Sequence, residues 1–172
     1  MPSKIHNFVS TLIRAEFACH AKALEEKKEG MSIRIDGSQV KYEMFSFDRD
    51  LDKTNYPKGL YPFFNKVRGA HSVCDYTIFV TNGSELYVLL VELKKGDSDT
   101  APQLKAGECM ARYIVETVNR LNKTNYVPQY RHISVKGSHL VRKGKTKMQP
   151  VIYTNNATTF EGRIFCLKEF LK

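Results

Sequence analysis

The chain has 172 residues, 42% of them hydrophobic and 26% charged, with a formal net charge of +9. That size and composition fit one globular domain, large enough to bury a core without disulfides or a structural metal. No apolar run approaches the ~20 residues that cross a bilayer, and the opening MPSKIHNF lacks a signal-peptide pattern, so a cytoplasmic protein with no membrane partner is expected.

Residues 3–28 read as a first helix. Ile5, Phe8, Val9, Leu12, Ile13, Phe17, Ala21 and Leu24 trace an apolar face, Ser3 is the N-cap and Gly30 the stop. Glu16 falls inside or at the edge of that stripe and His20 one turn on, while Glu25 to Lys28 read as a solvated end of the same helix. Residues 32–47 follow as a hairpin, or a strand with a lead-in, turning at Asp36-Gly37, and the alternation of Val40, Tyr42 and Met44 marks a half-buried strand.

Between residues 48 and 72 the pattern breaks, punctuated by Pro57, Gly59, Pro62 and Gly69. A connection of this length is longer than packing alone requires, and its rings, Tyr56, Tyr61, Phe63 and Phe64, argue against disorder. Those rings are expected to cover the edge of the core; stacking on an unpaired base is the alternative. Arg68 and His71 lead into the next strand, where they would meet a phosphate.

Residues 72–103 hold the stretch that carries chemistry. A β-rich run from Asp75 to Val80 meets Asn82-Gly83, the expected turn, and a continuous apolar run from Leu86 to Leu93 follows. A loop of two or four residues centred on that turn puts Asp75 opposite Leu90, on one face with Glu92 and Lys94, the two carboxylates one diagonal step apart at roughly 7–8 Å. Burying two carboxylates at a strand end is costly unless cations or hydrogen bonds compensate them. An Asp and a Glu on one face are the usual protein share of a Mg²⁺ site, and a lysine beside them would orient water and stabilise charge on a phosphate.

In these residues the chain resembles the PD-(D/E)XK nuclease superfamily, which includes type II restriction enzymes and Holliday-junction resolvases. The matching elements are Cys74-Asp75-Tyr76 on one strand, Val91-Glu92-Leu93-Lys94 at the end of the next, and a helix beginning near Gln103; Cys74 replaces the motif's proline. The resemblance spans roughly residues 1–135 in order of elements and implies an α/β, restriction-endonuclease-like sandwich. Its mixed central sheet would have a helix on each side, in an αβββαβ core. It implies Mg²⁺ or Mn²⁺ held by Asp75, Glu92 and the Leu93 carbonyl, with Lys94 at the water and Glu16 as an outer or second-metal ligand. It implies an endonuclease acting on nucleic acid, DNA before RNA, and leaves a homodimer open, since restriction enzymes and resolvases pair to cut two strands.

The second helix is expected from Asp99 or Thr100, as N-cap, to about Leu121, with Gln103, Gly107, Met110, Ile114, Val118 and Leu121 on one stripe and Leu104, Ala111 and Val115 widening it. Several branches of the superfamily place a glutamine or lysine where Gln103 stands, touching substrate or orienting the motif lysine; Thr100-Ala101-Pro102-Gln103 also fits a capping box. Residues 131–135 and 150–153 read as two more strands, and residues 163–171 as a short apolar element closing the core.

No acidic residue lies between Thr117 and Phe160, where Arg120, Lys123, Arg131, Lys136, Arg142, Lys143, Lys145 and Lys147 carry eight positive charges. That field favours a polyanion, nucleic acid above all, with Lys136, Arg142, Lys143, Lys145 and Lys147 as its contacts alongside Arg68 and Gln103. The four cysteines and five histidines have no zinc spacing and read as free thiols and scattered imidazoles. The reading from a different class is a non-catalytic nucleic-acid-binding or assembly module on the same fold.

Overall fold

The structure, a computed structural model, describes residues 4–47, 61, 63–65, 67–96, 98–137 and 151–172. Its centre is a five-stranded mixed sheet. β3 (Lys41–Phe45), β4 (Tyr76–Asn82) and β5 (Glu85–Lys94) run antiparallel to one another, and β6 (Gln129–Lys136) and β7 (Ala157–Phe160) continue parallel to β5. The crossover from β5 to β6 is the helix α2 (Ala101–Asn122). A second, three-stranded sheet joins β1 (Ala23–Glu26), β2 (Met31–Asp36) and β8 (Ile164–Cys166), with β2 central. The chain is thus α/β, with two mixed sheets and two α-helices among the described residues.

The layering differs from the expected helix on each side. The short first helix, α1 (Ile5–Leu12), and α2 lie together on one face of the five-stranded sheet, where Ile5, Val9, Leu104, Ile114 and Val118 pack with Phe79, Val88 and Leu90. The opposite face, with Ile78, Val80, Leu89 and Val91, is covered by Leu24, Ile33, Ile35 and Phe165 of the three-stranded sheet. Because β4 and β5 are covered on both sides, they read as continuous apolar runs rather than alternating ones.

This layering also explains why the first helix is not 26 residues long. Ile5, Val9, Ile13 and Phe17 belong to the helix-side core, whereas Leu24 belongs to the other side. No straight helix can deliver both, so α1 stops at Ile13, a 3₁₀ turn covers Ala15–Phe17, and the chain then rounds the edge strand β3, where the Cys19 N–H donates to the Met44 carbonyl at 2.8 Å. The stretch read as the solvated end of that helix becomes β1 and a turn that closes at Gly30, whose φ of +60° suits glycine. Ser3, the expected N-cap, lies outside the described residues.

Two further expectations change. β2 and β3 do not form a hairpin with each other; each belongs to a different sheet. Residues 151–153 are not a strand, while β7, not anticipated, completes the main sheet, and the C-terminal apolar element is β8 followed by a 3₁₀ turn over Leu167–Phe170 that buries Leu167 and Phe170 completely.

Candidate active site

The turn between β4 and β5 sets the register of the site. It is Gly83-Ser84, one residue later than expected, with Gly83 at φ +60° in its first position and Asn82 paired with Glu85, the arrangement of a two-residue hairpin that wants glycine there. Moving the turn by one residue moves the register by two, which preserves the face. The last ladder pair is Tyr76 with Val91, so Asp75, the next residue out, stands opposite Glu92 instead of Leu90. The two acids are therefore direct rather than diagonal neighbours, on the helix side of the sheet.

Both carboxylates are buried, each residue 7% exposed, and they are held by a crossed pair of hydrogen bonds. The Leu93 N–H donates to Asp75 Oδ2 at 2.6 Å, and the Asp75 N–H donates to Glu92 Oε2 at 3.3 Å. Each acid thus accepts from the backbone of the opposite strand, which fixes the two side chains against each other and compensates part of their desolvation. Next to them, burial pushes the Cys74 thiol up to about 12, with the negative charges of Glu92 and Asp75 adding to the effect. Cys74 is accordingly a protonated packing residue and not a nucleophile.

Asp75, Glu92, Leu93, Lys94 and Gln103 line one cleft of about 390 Å³. Lys94 closes β5 and forms an ion pair with Glu29, Nζ to Oε1 3.1 Å. That hydrogen bond, followed by the charges of Glu29, Glu92 and Asp75, holds the Lys94 ammonium above the usual lysine range despite an opposing desolvation effect. The same contact holds the Glu29 carboxyl below the usual range. Lys94 is therefore a fixed cation at neutral pH, suited to stabilising negative charge and unsuited to taking a proton.

Gln103 reaches the cleft because α2 packs against the strand end without a side chain between them. A Cβ on Gly107 would collide with Cys74 Sγ, so glycine at this position lets the helix sit down, and Gln103, one turn earlier on the same helix face, comes over the acids. The capping-box alternative for Gln103 is not realised: Asp99 Oδ1 accepts from the Ala101 N–H at 2.9 Å, and Thr100 makes no side-chain cap bond. Gln103 Oε1 is instead buried with no hydrogen-bond partner among the described residues. A buried acceptor left open over two carboxylates is a feature that a ligand, a cation's water shell or a substrate hydroxyl would complete.

Glu16 does not join this group. It lies in the 3₁₀ turn after α1, its side chain 43% exposed and ion-paired with Arg14 at 3.1 Å, and it does not line the cleft. The cause is the early end of α1: a helix that stopped at Ile13 cannot carry Glu16 inward. Glu29 is the carboxylate that sequence reasoning missed, since it sits on the β1–β2 turn of a segment read as helical and solvated. The signal in the sequence was Gly30, which can close a tight strand turn as readily as it can stop a helix.

Among the described residues no group of three or more His, Cys, Asp or Glu side chains is placed to hold a metal ion. Four carboxylates line the cleft, of which Asp75 and Glu92 stand together at the strand ends; with the open Gln103 oxygen and the Leu93 backbone they form an oxygen-rich donor set that fits Mg²⁺ or Mn²⁺.

Of the residues expected to bind nucleic acid, Arg68 is exposed on the turn between Val67 and Gly69, both of which line the cleft. Lys136 is the register partner of Lys94 across β5 and β6. Arg142, Lys143, Lys145 and Lys147 lie outside the described residues, as does Tyr56. His71, with Val67, lines the cleft as well.

A second polar cluster, also missed in the sequence, lies farther along α2. Glu108 is 7% exposed and gathers Arg112 at 2.6 Å, His132 at 2.8 Å and Lys105 at 3.5 Å. It joins α2 to β6, and the stripe read as apolar therefore contains a buried carboxylate paired with Arg112 and Lys105 and hydrogen-bonded to His132. Comparisons of the chain with protein-family models, curated proteins and solved structures returned no match.

Proposed function

We propose that this chain is a divalent-metal-dependent nuclease that hydrolyses phosphodiester bonds, built on a restriction-endonuclease-like sandwich. The observation that carries this reading is the crossed Asp75–Glu92 pair at the ends of β4 and β5 with the Lys94 cation in the same cleft. Once β1 and β2, which enter the second sheet between α1 and β3, are set aside, the elements α1, β3, β4, β5, α2 and β6 follow the helix, three strands, helix, strand order of the αβββαβ core, which supports the fold assignment.

Asp75 and Glu92, with the Leu93 carbonyl, would hold Mg²⁺ or Mn²⁺, and an ion bound there supplies Lewis-acid polarisation of the phosphate and a more acidic water. The chain's own residues do the rest. The backbone bonds from Leu93 and Asp75 keep the carboxylates from rotating away. Lys94, kept cationic by Glu29, faces the charge that builds on the phosphoryl oxygens as water attacks phosphorus and the bond to one ester oxygen breaks. Gln103 offers its open oxygen to the attacking water or a substrate hydroxyl, and Arg68 lies where a flanking phosphate would pass.

The test is incubation of the protein with plasmid, linear duplex, single-stranded DNA and RNA in Mg²⁺, Mn²⁺, Ca²⁺ or chelator, alongside Lys94→Ala. Cleavage in Mg²⁺ or Mn²⁺ alone, lost in Lys94→Ala, is the expected result. No cleavage of any substrate in either metal would overturn the reading in favour of a binding module.

A further inference from the structure

We propose that Phe63 and Phe64 form a stacking platform for an unpaired nucleobase beside the cleft, so that the substrate is single-stranded or locally unpaired nucleic acid; this rests on the nuclease reading of the cleft. Of the rings expected to cover the edge of the core, Tyr61 is half-buried, Tyr56 lies outside the described residues, and Phe63 and Phe64 are left open. Phe63 is 75% exposed and Phe64 48%, and Val67 beside them is 65% exposed. Phenyl rings normally gain by burial, so two of them left open on one short segment form a surface with an unused apolar capacity.

The cluster is ordered by ring contacts and by the Phe64 N–H donating to the Tyr61 carbonyl at 3.1 Å. Phe63 and Phe64 lie 4.6 Å apart between centroids at 61°, Tyr61 sits 5.7 Å from Phe64, and the His71 ring meets Phe64 edge-on at 6.2 Å and 88°. Burial raises the Tyr61 phenol above its usual range, with Cys74 and Cys109 the thiols nearest in effect, so Tyr61 is the foot of the cluster and the two phenylalanines its open top. Edge-on packing among the rings leaves ring faces available, which is what a base needs.

Three features point to a base and not to a protein side chain. First, the platform is continuous with the cleft: His71 touches Phe64 on one side and lines the cavity of Asp75, Glu92 and Lys94 on the other, and Val67 also lines it. Second, cations stand within reach of a flanking phosphate: Arg68 is exposed on the same turn, and Lys28 and Lys94 line the cleft together with the carboxylates Glu26, Glu29, Asp75 and Glu92. Third, stacking of bases on aromatic rings holds single strands without regard to sequence, because every base has a π-face. Duplex bases are already stacked on one another and could not use the platform.

The experiment is a fluorescence-anisotropy titration of a labelled single-stranded oligonucleotide and a duplex of the same length, in Ca²⁺ to permit binding without cleavage. The proteins compared are the wild type, Phe63→Ala, Phe64→Ala, Phe63→Tyr and, as an exposed ring away from the cleft, Tyr113→Gln. Single-strand affinity should fall on the order of ten- to a hundred-fold in each alanine variant and survive in Phe63→Tyr and Tyr113→Gln, with duplex affinity unchanged throughout. Unchanged single-strand binding in both alanine variants, or an equal loss on duplex, would overturn the platform and leave the rings as a protein-docking surface. The readout is independent of cleavage, so a single-strand-specific loss in a protein that cuts nothing supports the platform while the nuclease reading fails.

Discussion

Replacing Asp75 with an asparagine tests the site through stability as well as activity. Asp75 Oδ2 accepts the buried Leu93 N–H at 2.6 Å, a charge-assisted bond that an amide oxygen can keep in weaker form. Hydrogen bonds to charged groups are worth about 1.5–3 kcal/mol and neutral ones about 1, so the exchange costs about 1 kcal/mol in metal-free buffer, less whatever repulsion from Glu92 is relieved. For a chain of this size that is a fall in Tm of about 2–4 °C. Metal linkage should separate wild type and variant more sharply. At a hundred times its Kd, a bound ion stabilises the wild type by about 2.7 kcal/mol, a rise of about 5–10 °C, and the neutral amide of the variant lacks the charge to bind it comparably. Thermal unfolding followed by circular dichroism across a Mg²⁺ series, with the same samples assayed for cleavage, measures both. An equal Mg²⁺-dependent rise in the two proteins, or undiminished cleavage by the folded variant, would show that Asp75 is not a metal ligand and that its bond to Leu93 is merely structural.

Three other outcomes follow from the same structure. In Glu29→Gln, Lys94 loses the partner that raises its pKa, so the alkaline limb of the cleavage–pH profile should move to lower pH while stability changes little, since solvent screens the pair; an unmoved limb would remove Glu29 from the site. Gly107→Ala should destabilise by about 1–3 kcal/mol despite alanine's better helix propensity, because the new Cβ meets Cys74 Sγ, and adding Cys74→Ala should recover most of the loss in a denaturant titration. His6, 1% exposed and bonded through Nε2 to Thr81 Oγ1 at 2.9 Å, is pushed down from 6.5 to about 4 by burial first and by Lys41 second. A histidine depressed in the folded state binds its proton more readily when unfolded, so its contribution is complete above pH 6.5 and about 3 kcal/mol is lost as the pH falls towards 4; denaturation midpoints of His6→Gln should lack that slope.

The site's local pattern was legible in the sequence because it depends on short-range rules. A two-residue period put Asp75, Glu92 and Lys94 on one face, and that parity survived a turn displaced by one residue, since hairpin register then moves in steps of two. The helix period likewise placed Gln103 and Gly107 on the inward side of α2. What the sequence alone did not determine was which face of the sheet each segment would cover. Leu12 and Leu24 fit one helical stripe, yet the sheet lies between the core of α1 and that of Leu24, and only the three-dimensional partner of each residue decides whether a stretch such as 15–28 continues as helix or turns into a strand. That choice removed Glu16 from the cleft and brought Glu29 to Lys94, and it depended on β2 and β8, the latter more than 130 residues downstream of β1, supplying the sheet on which Leu24 is buried. Local propensity fixes spacing along the chain; burial against distant segments fixes which of two locally acceptable structures forms.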